Sequence, residues 1–263
     1  MSESRLAPGW ATLKASGRKA LIPYLTAGYP SLQASADALR SASEVADIIE
    51  VGVPFSDPLA DGPTIQRSTF EALRQGMTLA GTLELISSTQ PDSPVVIFSY
   101  LNPILRYGVE RFLHDAEQLQ IAGLILTDLP AGGDPALEST IQRSGVDLVR
   151  LVAPTTRAER LKRSVEDAQG FVYLVARLGV TGARGALAVD LEDSIRRVRA
   201  ATSLPVAVGF GISTPQQART VGQMADGVVV GSALIDILGQ DGVGAARRFL
   251  SSLRDALNNP DAP

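Results

Sequence analysis

This sequence predicts an α/β fold, a (β/α)8 or TIM barrel with an extra N-terminal helix, and three observations predict it. Apolar runs rich in Val, Ile and Leu recur eight times along the 263 residues, at 20–26, 46–53, 95–100, 123–128, 147–152, 171–176, 204–210 and 227–231. The runs are nearly continuous rather than alternating, as parallel strands covered on both faces should be. Each is followed by a polar loop and a helical pattern, and eight such units suit a closed barrel of about 250 residues. No linker divides the chain, so one barrel domain is expected over 1–263, its core at about 20–257.

Residues 1–16 read as an amphipathic helix placed to plug the bottom of the barrel. Helical patterns then occupy 32–44, 64–75 with 79–89, 109–120, 135–144, 157–168, 190–201 and 214–224, and a last one at 243–258 closes the chain. Ser31 and the run Ser213-Thr214-Pro215 are good helix starts, because a short hydroxyl side chain binds free first-turn amides and proline fits the first helical position. Gly76, Gly123, Gly145 and Gly170 stand at helix ends or at the turns into strands. A doubly wound open sheet would need a nucleotide loop after the first strand, and Thr26-Ala-Gly-Tyr-Pro30 is not one. The tail at 258–263 is polar and proline-containing, and is expected to fray.

Composition narrows the chemistry. A net charge of −4 and a pI near 5.1 give no basic footprint for nucleic acid. With no cysteine, disulfides, thiolate nucleophiles and thiolate metal sites are excluded. The single histidine, His114, lies in a helical stretch remote from the strand ends and reads as a surface residue. Catalysis is therefore left to carboxylates, hydroxyls and backbone groups, with no metal. There is no signal-like N-terminus and no apolar run of about 18 residues, so a soluble, cytoplasmic protein is expected.

The chemistry concentrates between Asp47 and Gln66. Alternation along the second strand puts Ile48, Glu50 and Gly52 on one face and Ile49 and Val51 on the other. The aliphatic face suits the helix layer, so Glu50 points into the barrel near its carboxyl end. There it is either a structural glutamate with a buried partner or a carboxyl of raised pKa ready to move a proton. Asp57 and Asp61 follow on a loop stiffened by Pro54, Pro58 and Pro63, and Asp61, just before the next helix, is the better placed over the pocket mouth. Glycine-rich turns come late: Leu178–Gly185 reads as a flexible lid carrying Thr181, followed by Gly209-Phe-Gly-Ile-Ser213 and Gly231-Ser232. Two such turns after strands seven and eight, with a helix start, are the usual phosphate site of this fold. Tyr24, Phe98 and Tyr100 sit at strand ends, as an aromatic pocket or as core, and Asp128 reads as a loop anchor.

Glu50-Val-Gly-Val-Pro-Phe-Ser-Asp-Pro-Leu-Ala-Asp-Gly-Pro-Thr-Ile-Gln66 resembles, nearly residue for residue, the signature of the tryptophan synthase α chain family. The resemblance extends to Leu21-Ile-Pro-Tyr-Leu-Thr-Ala-Gly-Tyr-Pro30, Tyr100-Leu-Asn-Pro103, Gly179-Val-Thr-Gly182, Gly209-Phe-Gly-Ile-Ser213 and Gly231-Ser232, in family order over about 20–257. It implies a lyase of tryptophan biosynthesis that splits indole-3-glycerol phosphate into indole and glyceraldehyde 3-phosphate. It also implies an allosteric α2β2 complex with a β subunit that carries pyridoxal phosphate, this chain using no cofactor. By the same resemblance Glu50 is the acid–base residue and Asp61 holds the indole N1–H. Tyr24, Phe98, Tyr100, Ile125, Thr127, Leu151 and Tyr173 line the indole pocket. Gly182, Phe210, Gly211, Gly231 and Ser232 hold the phosphate, and Thr181 closes toward Asp61. Asp57, Pro58, Asn102 and Pro103 face the β subunit. Ala176 and Leu178, in place of small hydroxyl residues, and Ala131-Gly-Gly-Asp134, in place of a more acidic turn, are departures that touch neither carboxylate. A free-standing lyase would share the same site, and a non-catalytic allosteric module would have lost a carboxylate. Phosphate-binding sugar isomerase barrels would need other catalytic residues at strands one and five.

Overall fold

The structure, a computed structural model, describes residues 3–175, 184–209 and 211–259, with backbone alone for 184–190. Its wall is made of parallel strands in chain order: β1 (Ala20–Thr26), β2 (Ile49–Gly52), β3 (Val95–Ser99), β4 (Gly123–Leu126), β5 (Asp147–Leu148), β6 (Arg150–Val152), β7 (Val172–Val175), β8 (Val206–Gly209) and β9 (Gly227–Val230). β1 pairs with both β2 and β9, with Tyr24 opposite Glu50 and Ala20 opposite Gly227. The fifth barrel strand is divided: β5 pairs with β4, β6 pairs with β7, and Val149 between them donates to Leu124 at 3.0 Å. Through this divided strand the ring closes, and eight strand positions form the barrel.

The helices are α1 (Ala7–Ala15), α2 (Leu32–Ser43), α3 (Pro63–Arg74), α4 (Leu79–Thr89), α5 (Leu101–Tyr107), α6 (Val109–Gln118), α7 (Pro135–Arg143), α8 (Ala158–Glu166), α9 (Arg184–Ala201), α10 (Pro215–Met224) and α11 (Ser232–Asn258). Ser31 caps α2 by accepting from the Ala34 amide, and Thr214 with Gln217 forms a full capping box on α10. Strand residues divide between two apolar layers. Ile49, Val51, Ile97 and Leu124 pack outward under the helices, while Ile22, Ile48, Val96, Ile125 and Val229 fill the barrel interior.

α1 closes the amino-terminal end of that interior. Trp10 packs 5.6 Å from the Phe171 ring, and both the Ser4 hydroxyl and the Leu6 amide donate to the Asp147 carboxylate. The plug is shorter than the predicted 1–16, because Pro8 fits only the first turn.

Other boundaries also differ from expectation. α9 starts at Arg184, within the glycine-rich stretch read as a lid, rather than at 190. α5 was not expected, since a seven-residue helix containing Pro103 has too little periodicity to register. α11 joins the short helix after β9 to the last helix across a bend at Gly242, whose φ is 78°. Before β4, Gln120 takes the left-handed conformation at φ 54°, the role expected of Gly123.

Candidate active site

A cavity of about 240 Å³ opens at the carboxyl ends of the strands. Tyr24 and Glu50 from β1 and β2, Phe98 from β3, Thr127 after β4, Leu151 from β6 and Tyr173 and Val175 from β7 form its wall. Ala60, Asp61 and Gly62 close it from the loop before α3, Ile65 from the first turn of α3, and Gly211, Gly231 and Ser232 from the late turns.

Glu50 is 1% exposed, and neither carboxylate oxygen has a hydrogen-bond partner among the described residues. A structural glutamate at such depth is ordinarily paired, and no described residue pairs with this one. Burial pushes its pKa up to about 8, because the ionised form would lose water and no described residue replaces it. Burial thus favours the neutral carboxylic acid form of Glu50 on the cavity wall.

Asp61 differs in degree. Burial raises its pKa to about 6, against a hydrogen bond from Tyr100 that favours the ionised form. Its loop is fixed locally. The Asp61 amide donates to Pro58 at 3.1 Å, and the Gln66 side chain donates back to the carbonyls of Asp61 at 3.0 Å and Pro58 at 3.3 Å. Pro63 then starts α3 at a position that needs no amide donor. Asp61 is therefore held just outside a helix start, its carboxyl raised less than that of Glu50, which lines the same cavity.

The aromatic wall is tightly fitted. Tyr24 meets Phe98 edge to face at 5.4 Å between centroids. The hydroxyls of Tyr24 and Tyr173 lie over Gly52 and Gly209, where any Cβ would overlap them. Burial raises the pKa of both phenols, with further contributions from Asp61 at Tyr24 and from Glu50 at Tyr173. Across the cavity, Gly211 takes a φ of 87°, and α11 begins at Ser232 with no side-chain cap. The free amides of a helix start carry partial positive charge and suit an anion.

Of the sequence-predicted residues, the cavity wall holds Tyr24, Glu50, Asp61, Phe98, Thr127, Leu151, Tyr173, Gly211, Gly231 and Ser232. Two others sit elsewhere. Ile125 is fully buried in the interior layer below the cavity, with Val96 and Ile22. Tyr100 braces the Asp61 loop instead of lining the pocket: its hydroxyl accepts from the Ala60 amide at 2.9 Å, and its ring packs on Phe55 at 5.1 Å. Thr181, Gly182 and Phe210, with Ala176 and Leu178, lie outside the described residues.

Among the residues expected to face a partner, Asp57 and Asn102 are exposed, while Pro58 is buried and its carbonyl accepts from the Asp61 amide. Leu59, 83% exposed, is the apolar residue that the loop offers instead. Asn102 and Pro103 line a separate groove with Phe55 and Tyr107. Ala60, Gly62, Ile65 and Val175 were missed. Val175 follows Tyr173 by one strand period and could have been found by alternation, whereas Ala60 and Gly62 give no signal before the loop is folded. Asp128 anchors α5, accepting from the Leu101 amide at 2.7 Å. Among the described residues no carboxylate or histidine group could hold a metal, and no helix is long and apolar enough to cross a membrane.

The family model for the tryptophan synthase alpha chain matches residues 10–256. The chain is 49% identical over 239 residues to the tryptophan synthase alpha chain of Acidiphilium cryptum (strain JF-5), covering 89% of this chain and 87% of that one. It is 47% identical over 236 residues to that of Gluconobacter oxydans (strain 621H), covering 88% and 87%. Among solved structures, tryptophan synthase of Mycobacterium tuberculosis superposes with a TM-score of 0.89 at 40% identity, over 97% of this chain and 99% of that one. Tryptophan synthase subunit alpha of Legionella pneumophila str. Paris gives 0.90 at 34% identity, over 98% and 100%. A family match over nearly the whole chain agrees with a barrel whose carboxyl end holds two shifted carboxyls: the chain belongs to the tryptophan synthase α chain family.

Proposed function

We propose that this chain cleaves indole-3-glycerol phosphate with Glu50 as the proton-transfer group and Asp61 as the anchor of the indole nitrogen. The α chain is the indole-3-glycerol phosphate lyase half of tryptophan synthase, and that activity comes with the family. The assignment of steps to residues rests on one observation above all: a buried carboxyl without a partner, facing the same cavity as a second carboxyl of lower pKa.

Breaking the bond between indole C3 and the side-chain C3′ needs a proton on C3 and removal of the C3′ hydroxyl proton. Protonated Glu50 supplies the first. Protonation of C3 turns the indole into a cation with charge on N1, and ionised Asp61 accepts the N1–H hydrogen bond and stabilises that charge. As the C3–C3′ bond breaks, its electron pair returns to the ring and the C3′ hydroxyl becomes the aldehyde. The now ionised Glu50 takes the hydroxyl proton and is restored as the acid. A pKa near 8 suits a group that must give a proton and regain it near neutral pH. The cavity excludes water from the cation, and the Gly211, Gly231 and Ser232 turns take the phosphate of the substrate and of the glyceraldehyde 3-phosphate product.

Indole leaves for a β subunit that docks on the face carrying Asp57, Leu59, Asn102 and Pro103. We propose an α2β2 assembly in the cytoplasm, in which pyridoxal phosphate belongs to the β subunit and this chain uses no cofactor. Indole release from indole-3-glycerol phosphate, followed with and without a β subunit, tests the reading. Slow release by the chain alone, accelerated by the partner, is expected. Equal rates in both conditions would contradict the coupled assembly, and no release in either would contradict the reaction.

A further inference from the structure

A chain of buried hydroxyls leads from the cavity into the packing of β1 against α3. Its first member, Tyr24, lines the cavity. The Thr26 hydroxyl lies 3.5 Å from the Tyr24 hydroxyl and 2.7 Å from the Ser68 hydroxyl, which in turn donates to the Ile65 carbonyl at 2.9 Å. Thr26 is 1% exposed and Ser68 is 0% exposed, and neither lines the cavity. Where only packing is needed, apolar side chains of the same shape would serve, because a buried hydroxyl is costly unless bonded and the pair gains little over apolar replacements. What the hydroxyls add is direction: they fix the rotation and height of α3 on β1. That helix carries Ile65 of the cavity wall and Gln66, whose side chain grips the Asp61 and Pro58 carbonyls. β1 carries Tyr24, the register partner of Glu50.

We infer that Thr26 and Ser68 are positioning residues for the Asp61 loop, holding the first turns of α3 against β1 so that Asp61 stands in register with Glu50 across the cavity. The inference deepens the proposed reaction and rests on it. Neither residue touches substrate; both act through α3 and Gln66.

The test compares Thr26→Val, Ser68→Ala, their double variant and Thr26→Ser in the full chain, by steady-state indole release and by amide hydrogen exchange. Misplacing a binding carboxylate by a fraction of an ångström should lower kcat about tenfold in Thr26→Val and in Ser68→Ala, with a smaller change in KM. The double variant should be no worse than either single one, since both break the same tie, and Thr26→Ser should stay close to wild type. Exchange at the Ala60 and Asp61 amides should quicken in Thr26→Val but not in Thr26→Ser. A lowered Tm with unchanged kcat and unchanged exchange at these amides would reduce the pair to ordinary structure and overturn the inference. If the wild-type chain itself released no indole, the reaction reading would fall, and exchange would decide the tie by itself.

Discussion

Three carboxylates at the amino-terminal end of the barrel and Glu50 at the carboxyl end are treated in opposite ways. Fully buried Asp147 and the half-buried Asp47 and Asp226 all have partners. Asp47 accepts from the Leu21 amide at 2.8 Å and pairs with Arg254 and Arg18. Asp147 accepts from the Ser4 hydroxyl at 2.6 Å and the Leu6 amide at 3.0 Å. Asp226 accepts from the Val206 amide and from Arg199, both at 2.9 Å. At the carboxyl end Glu50 faces a cavity and accepts from nothing described. Depth is not the cause, and neither is residue type. Glu138, 4% exposed, is paired with Arg150 and accepts from the amides of Gly132 and Asp134. Bonded carboxylates fasten strands and loops together, whereas one left bare has a protonation state that the substrate can use. The difference separates stability from chemistry on one scaffold.

Exchanging the roles of these groups should break the comparison in measurable ways. The largest effect belongs to Glu50→Gln, which removes the proton while keeping the shape. Its indole release should fall by about 10²–10⁴. Stability should respond in the opposite sense. The folded-state pKa of Glu50 is raised from 4.5 to about 8, so its contribution is present below 4.5 and lost as pH rises through 8. Thermal unfolding of Glu50→Gln across that window should therefore lose less stability with rising pH than wild type.

Glu138→Ala should do the reverse. It strands a buried guanidinium and two loop amides, costing about 3–5 kcal/mol in denaturant unfolding. Asp147→Ala leaves the Leu6 amide without an acceptor under the α1 plug. A loss of about 1–3 kcal/mol is expected, with kcat at the far end of the barrel unchanged. A fall in kcat on a par with that of Glu50→Gln would mean that the two ends are not separate.

Much of this division could be read in the sequence, because strand periodicity is simple. The alternation Ile48, Glu50, Gly52 against Ile49, Val51 assigns faces correctly: Ile48 lies in the interior layer and Ile49 and Val51 lie under the helices. Glycine at position 52 then has a reason that no single strand can reveal, since the space it leaves is filled by Tyr24 of the neighbouring strand. Residues whose neighbours come from other elements were harder. Tyr100 ends a strand like a pocket residue, yet the loop that packs on it arrives from forty positions earlier. The divided fifth strand, with Arg150 turned to Glu138 of α7, gives no periodic signal in six residues. Strand periodicity alone leaves open whether Glu50 is paired or bare; only the placement of the described residues around it shows no partner among them.

Glu50 is held toward its protonated form at neutral pH because burial removes water from its carboxylate and no described residue bonds to it. Its carboxyl stretch can be followed by infrared difference spectroscopy of wild type against Glu50→Gln as pH is raised. The account predicts a protonated carboxyl band at pH 7 that disappears with a midpoint near 8. A band already lost at pH 6, with a midpoint near the ordinary 4.5, would contradict it.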